Sequence, residues 1–591
     1  MCGYIFTEVE KKLNLRILSS IKNRGPDFSK LVRINNKTLY HARLKIVDLS
    51  SKSNQPFIDK SKRFYLLYNG EIYNFNFLKK KYNLFCKTKS DTEVLFLLLK
   101  KFGIKKTLKK ISGMFSFVFI DKKKNYLCCA RDHFGQKPLY FNFENNKFSC
   151  CTNIKPLVEL LNIKEINPEL ANFYLSSNGI LPPNNTIFTK IKSLPAGHFL
   201  VYENKKIKIN EYFHPTDLIS KNNFKKNLDL SKEEKIIKLK KICNQSIKNH
   251  LISDVKVGVC LSGGIDSSLV AHFMSRNKKK ICSFSGLSKG IETIPKRIIP
   301  YVIKENRLKK FFFYNNRKKN YLKGLTKVIK NLYAPCRWGG VVPMLDLCKL
   351  AKKNNYKVLL GGDGVDEMCG GYLSIGEVFK QLTFKNYHSI NDLNNNKKSF
   401  IAKKYVQYRL NNRKRIFSCF NHIKNKAERL KQTLLMEDLS IFLPNCTLIH
   451  GDDYSMLNSV ELRNPFVNIN LIKFVINLPI RDKCFIDLKK NFQGKYIFRE
   501  LAKKIYGNII DQPKEGTRNF SKLISDKKIW NLEKFEIFKY LKISKEKISE
   551  YNFKQIFKFI NLEILYRDIK NKKKFYIENL LNNKGKKIIY E

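Results

Sequence analysis

Over the first 205 positions the apolar residues fall in short runs separated by polar turns, which predicts strands more than long helices. Phe64–Tyr68, Met114–Asp121, Tyr126–Ala130 and Leu139–Phe143 read as strands bounded by Gly, Asn, Asp and Lys. Thr92–Phe102 has helical spacing, with Asp91 as the expected N-cap. Residues 206–232 are polar, rich in Lys and Asn and without a period, and are expected as a linker. From residue 233 the pattern changes. An amphipathic helix over Glu234–Leu251 leads into a buried strand, Val255–Leu261, then a glycine turn and a helix beginning near Ser267. The strand Tyr356–Leu360 followed by Gly361–Gly371 repeats that unit. Such alternation predicts a parallel α/β sheet in a second domain over 233–591. The Lys-rich C-terminal stretch reads as helical, and no fixed-period repeat is present.

Composition bounds the function. A chain of 591 residues with 43% hydrophobic residues has material for two large cores. Its longest apolar runs, such as Val94–Leu99 and Met114–Ile120, fall far short of the ~20 residues of a membrane span. The N-terminus lacks the basic and apolar regions of a secretory signal. The cysteines number fifteen, with no Cys-x-x-Cys pair, so a zinc or disulfide framework is not expected and a reducing cytoplasmic compartment is. Net charge is +64. The basic residues are mostly Lys, spread along the whole chain among Asn, Ile, Phe and Tyr, as AT-rich codons would produce. The expectation is salt-sensitive adhesion to polyanions and no specific nucleic-acid partner.

Candidate chemistry begins at Cys2. If Met1 is removed, the thiol stands beside its own α-amine, which can accept the thiol proton and make a nucleophile of one residue. Behind Cys2-Gly3 come Arg24-Gly25-Pro26-Asp27, His41-Ala42-Arg43-Leu44-Lys45-Ile46-Val47-Asp48, Tyr68-Asn69-Gly70-Glu71-Ile72-Tyr73-Asn74 and Ser90-Asp91-Thr92-Glu93. Gly113–Phe117 and Ala130–Tyr140 complete an ordered set. Residues 1–205 thereby resemble the class II glutamine amidotransferase domain, an N-terminal-nucleophile glutaminase. That resemblance implies an α+β domain of stacked antiparallel sheets with helices, and Cys2, Asn69 and Gly70 as catalytic residues. It implies glutamine binding by Arg43, Leu44, Lys45, Ile46, Val47, Asn69, Gly70, Glu71 and Asp91. Chemically, Arg43 can fork onto the α-carboxylate and Asp91 can accept from the α-ammonium. Asn69-Gly70, read as a turn, can donate to the oxyanion.

The second half carries Leu261-Ser262-Gly263-Gly264-Ile265-Asp266-Ser267 between a buried strand and a helix, a setting in which backbone amides close on an anion. It is not a Walker P-loop. It resembles the pyrophosphate loop of ATP pyrophosphatases. Gly361-Gly362-Asp363-Gly364-Val365-Asp366-Glu367 places three carboxylates within five residues, which repel unless a cation or solvent is present. This loop, Asp452–Phe466 and Gly494–Glu500 resemble motifs of the glutamine-hydrolysing asparagine synthetases. The resemblance implies an α/β ATP-pyrophosphatase domain with ATP and Mg²⁺. Expected ATP contacts are Leu261, Ser262, Gly263, Gly264, Asp266, Ser267, Gly286, Gly361, Gly362 and Lys495. The expected metal ligands are Asp266 and Asp366, and Asp363 is tied to the acyl-adenylate. Expected partners are glutamine, ATP and aspartate, with a homodimer left open and a mainly apolar passage for ammonia between the sites.

Several positions depart from that family. Asp453 stands where Arg or Lys is usual, Tyr333-Ala334-Pro335 where an acidic pair precedes Pro, and Gly361 where Ser is usual. The rival readings are therefore amidation of another carboxylate, on a surface sugar or secondary metabolite, and a non-catalytic polyanion-binding protein. For an aspartate pocket, Glu461 or Asp363 could meet the ammonium and Arg463 or Lys495 a carboxylate.

Overall fold

A computed structural model describes residues 2–10, 13–177, 179–287, 294–314, 318–337, 339–384, 400–512, 524–570 and 575–590. In the first part, two six-stranded antiparallel sheets lie face to face. One is ordered Lys192–Ser193, Tyr140–Glu144, Lys147–Cys151, Gly3–Thr7, Lys37–Arg43, Phe28–Ile34. The other is ordered Lys206–Glu211, His198–Glu203, Tyr126–Arg131, Gly113–Asp121, Phe64–Ile72, Phe57–Ile58.

Strand alternation explains how both faces are used. Tyr65, Leu67, Val118, Ile120 and Cys129 fill the space between the sheets. Their neighbours Leu66, Tyr68, Phe117, Phe119 and Cys128 point outward beneath the helix Asp91–Leu108. Because both faces are covered, these strands read as continuous apolar runs. The same two-residue period resolves the adjacent cysteines. Cys129 and Cys150 face the inter-sheet core while Cys128 and Cys151 face outward, and every one of the fifteen cysteines is a free thiol.

The segment expected as a linker contains ordered elements. Lys206–Glu211 pairs with His198–Glu203 and closes the second sheet, and Lys221–Asp229 is a helix capped by Ser220. Exposure explains why sequence periodicity missed the strand: it is an edge, and most of its side chains face water.

The second part is built on a five-stranded parallel sheet ordered Lys309–Tyr314, Cys282–Leu287, Val257–Cys260, Val358–Leu360, Glu461–Arg463. Chain order therefore reverses between Val257–Cys260 and Val358–Leu360. In open α/β sheets that switch point leaves a crevice at the carboxyl ends of the strands. Both glycine-rich loops emerge there. Beyond them Asp438–Thr447 forms a π-helical stretch that no sequence period announced.

The two parts share their cores. Leu44, Ile46 and Phe134 pack in one cluster with Ile236, Val257 and Leu269. Ile5 and Tyr40 pack in another with Tyr321 and the helix Phe553–Ile569. Among the described residues no helix is long and apolar enough to cross a membrane.

Candidate active site

Cys2 is buried at the start of the central strand of the first sheet. Its backbone N–H donates to Asn69 Oδ1 at 2.9 Å. That bond orients the Asn69 amide, and leaves Nδ2 buried without a hydrogen-bond partner. A buried orphan donor costs free energy unless something accepts from it. Burial raises the pKa of the Cys2 thiol, opposed by the Leu44 backbone amide and the Arg43 guanidinium.

Asn69-Gly70 is not a turn. Both residues lie inside the strand Phe64–Ile72, opposite Ser116 and Phe115. Glycine is enforced at 70 by the neighbouring strand, because a Cβ would sit 2.1 Å from the Met114 carbonyl oxygen. Nor does Asp91 cap its helix: Ser90 does, accepting from the Thr92 N–H at 3.1 Å. Asp91 instead accepts from Tyr68 OH at 2.7 Å and from the Ile72 N–H at 2.8 Å, and burial raises its pKa.

Arg43 is held at the end of its strand by the loop beyond it. Its Nη1 donates to the Ser50 carbonyl and Asn54 Oδ1, both at 2.8 Å, and Nη2 donates to the Asp48 carbonyl. Lys45 N–H donates to Asp27 at 2.7 Å, while Leu44 and Ile46 are core side chains, so their route to a ligand is the backbone. Glu71 is buried and pairs with Arg463 at 3.2 Å.

At the parallel sheet, Ser262, Gly263 and Gly264 wrap the start of the helix Ile265–Asn277. Ser267 Oγ accepts from the Ser262 N–H at 3.2 Å and donates to the Gly264 carbonyl at 3.0 Å, closing the loop on itself. Gly263 has φ of 80°, a left-handed conformation that favours glycine. Lys495 reaches over both loops, with Nζ 2.5 Å from Asp266 and 2.7 Å from Asp366. The two carboxylates raise its pKa against the effect of burial. A Cβ on Gly371 would lie 1.7 Å from Asp366 Oδ1 and 2.4 Å from Lys495 Cε, so glycine makes room for this triad. Leu261 is buried beneath the loop, Gly286 is exposed on the adjacent strand, and Gly362 closes on Asp266.

The helix Leu448–Met456 joins the two regions. Asp452 accepts from Arg24 Nη2 at 2.6 Å and from Lys137 Nζ at 3.0 Å. Arg24 Nε in turn donates to the Cys2 carbonyl at 3.1 Å. The preceding residue, Gly451, faces the other way: a Cβ there would be 3.9 Å from Asp363 Oδ2.

Two cations named for the acceptor are occupied by the protein itself. Arg463 is fully buried, its Nε 2.5 Å from Glu461 and its Nη1 donating to the His250 and Ile252 carbonyls, each at 2.7 Å. Lys495 is committed to Asp266 and Asp366. Arg24, Glu71, Lys137, Asp452, Glu461 and Arg463 are all buried where the two parts meet, beside the apolar clusters that the parts share. Lys137 and Asp452 fall inside the motifs Ala130–Tyr140 and Asp452–Phe466, but nothing in the sequence signalled that they pair, since they lie 315 positions apart.

A family model described as a glutamine amidotransferase domain matches residues 1–213, and one described as asparagine synthase matches residues 238–530. A Methanocaldococcus jannaschii protein provisionally named a glutamine-hydrolysing asparagine synthetase is 31% identical over 393 residues, 62% of this chain and 74% of that protein. This chain belongs to the glutamine-hydrolysing asparagine synthetase family. Its first part is the family's glutamine amidotransferase domain and its second the synthetase domain. A relative from Acanthamoeba polyphaga mimivirus, provisionally named an asparagine synthetase, is 25% identical over 601 residues, 97% of this chain and 94% of its own. A Penicillium rubens protein named amidase chyE is also 25% identical, over 88% of this chain and 86% of its own.

Proposed function

We infer that this member of the family releases ammonia from glutamine at Cys2 and transfers it to aspartate adenylated by ATP, giving asparagine, glutamate, AMP and pyrophosphate. The observation that carries this reading is the helix Leu448–Met456, where Asp452 is tied to the Cys2 backbone through Arg24 while a Cβ on Gly451 would lie 3.9 Å from Asp363.

In the glutaminase, Cys2 exposed by removal of Met1 attacks the side-chain amide, its α-amine taking the thiol proton. Asn69 Nδ2 is the buried donor that the oxyanion would satisfy, with the Gly70 backbone beside it; one such donor contributes about 3 kcal/mol. Arg43 and the backbone of residues 44–47 bind the α-carboxylate end, and Asp91 and Glu71 serve the ammonium end.

In the synthetase, the amides of residues 261–264 and the Ser267 hydroxyl receive the ATP phosphates, with Gly286, Gly361 and Gly362 allowing close approach. Asp266 and Asp366 are hard oxygen donors facing one another across Lys495, a set that fits Mg²⁺. Bound there, the ion would neutralise charge on the departing pyrophosphate. No group of three His, Cys, Asp or Glu side chains suited to a metal occurs among the described residues, so phosphate and water oxygens would complete its shell. Lys495 supplies a mobile positive charge to the same phosphates, and Asp363 lies where the acyl-adenylate meets ammonia. The unpaired cysteines fit a reducing cytoplasmic compartment.

A second reading, amidation of a different carboxylate, is favoured by Tyr333-Ala334-Pro335 and by the relative named an amidase. ATP–pyrophosphate exchange across a panel of carboxylates separates the two. Exchange with aspartate alone supports the first. Exchange that ignores aspartate and follows another acid supports the second.

A further inference from the structure

The backbone of Cys336 is gripped from two sides. Its carbonyl accepts from Tyr174 OH at 2.5 Å, and its N–H donates to Asn561 Oδ1 at 2.9 Å. Tyr174 lies on the glutaminase helix Pro168–Ser176, whereas Asn561 is midway along Phe553–Ile569, beyond the part of the chain that matches the synthetase model. Both side chains are fully buried.

Asn561 is an expensive residue where it stands. Phe557, Phe559, Ile560, Leu562, Ile564 and Leu565 around it are buried apolar side chains. A buried amide among them is tolerated only if it is hydrogen-bonded. Its Nδ2 returns to the Phe557 carbonyl at 2.7 Å, and its Oδ1 is given to Cys336. Nearby, Tyr321 OH donates to the Gly339 carbonyl at 2.9 Å, fixing the same loop further along.

What the loop carries is Arg337. Its guanidinium carbon lies 4.1 Å from the ring centre of Phe442 on the π-helical stretch. Phe442 meets Tyr372 edge-on at 5.2 Å, and Tyr372 OH donates to Glu367 at 2.7 Å. Thr447, at the end of the same stretch, donates to Glu367 at 2.9 Å. The loop is thus packed, through two aromatic rings, against the turn that bears Asp363 and Asp366.

We propose that the Cys336 peptide is a clamp on the acceptor side of the synthetase site, with Tyr174 and Asn561 as positioning residues that hold the Arg337 loop against the acidic loop and so set affinity for the acidic acceptor. The proposal rests on the reading of the second domain as an acyl-adenylating synthetase. It gives the helix Phe553–Ile569 a part in the reaction, and it gives the glutaminase domain a second line of contact with the synthetase.

The test uses the full-length protein with Asn561→Leu and, in case that variant folds poorly, Tyr174→Phe, which deletes one hydroxyl. Hydrogen exchange at the Cys336 amide, followed without any substrate, should speed up in Asn561→Leu while the parallel sheet stays protected. With ammonium as nitrogen donor, KM for aspartate should rise about tenfold in either variant and KM for ATP change less than about twofold, while glutamate release, measured separately with glutamine, should also change less than about twofold. A faster-exchanging Cys336 with an unaltered aspartate KM would overturn the clamp, as would equal rises for aspartate and ATP. Absence of aspartate-dependent pyrophosphate in the unmodified protein would instead reject aspartate. The KM comparison would then be made with the carboxylate that supports exchange.

Discussion

Asp452 accepts from Arg24 at 2.6 Å, and both side chains are buried where the glutaminase and synthetase domains meet. Arg24 also holds the Cys2 carbonyl, so one guanidinium connects the Cys2 backbone to the helix that passes near Asp363. Losing one partner of a buried pair costs about 3–5 kcal/mol, since the other charge is left without compensation. Asp452→Asn should therefore lower Tm and loosen the link between the sites. More glutamate should form per AMP than in the unmodified protein, with ammonia escaping to solvent. A ratio that stays at one in a folded variant would show that this pair has no part in coupling.

Asp453, next along the same helix, is buried with no such partner bond. Burial and the adjacent Asp452 raise its pKa to about 7. An acid raised in this way costs stability as pH climbs from the unfolded value near 4 toward 7, because the unfolded chain gives up the proton first. Above that range the cost is complete. Asp453→Asn should be more stable than the parent at pH 8, by up to about 3 kcal/mol, and no more stable near pH 4. Denaturant titrations at the two pH values measure the difference. Equal stabilities at both would place Asp453 in a solvated setting.

Gly371→Ala should abolish ATP-dependent synthesis, because the added methyl group occupies the space of Asp366 Oδ1 and Lys495 Cε. Glutamate release at Cys2 should persist, since that centre lies in the other domain. Asp266→Asn and Asp366→Asn should show the same division of effects, each removing one hard oxygen charge from the pyrophosphate site. Normal pyrophosphate release in Gly371→Ala would move the ATP site elsewhere.

Much of this arrangement was legible in the sequence, where chemistry is local. The Ser262–Asp266 loop follows its strand and opens its helix because small residues and periodicity sit side by side along the chain. Asn69 and Asp91 were expected as site residues, and their settings were misread for identifiable reasons. Asn69-Gly70 has turn composition, yet the glycine answers to a carbonyl on the neighbouring strand, and strand pairing is not written locally. Asp91 opens a helix, yet Ser90 takes the cap and frees the carboxylate for Tyr68 and Ile72. The Arg24–Asp452 and Lys137–Asp452 pairs, the burial of Arg463 and the Asn561 contact depend on residues hundreds of positions apart. No period or spacing encodes them. The charge excess said little about the site, since lysines are spread throughout.

Cys2→Ala should lose all glutamine-dependent synthesis and retain synthesis from ammonium salts, since the second centre needs only ammonia. Product formed at equal rates from both nitrogen sources in the variant would remove Cys2 from the reaction.

Isotope transfer tests the two-centre mechanism most directly. The protein is supplied with glutamine labelled with ¹⁵N in its side-chain amide, aspartate, Mg·ATP and unlabelled ammonium. The label should appear in the side-chain amide of asparagine, with one AMP and one pyrophosphate for each asparagine formed. Labelled ammonium accumulating in solution beside unlabelled asparagine, or glutamate appearing without any AMP, would contradict transfer between the two sites.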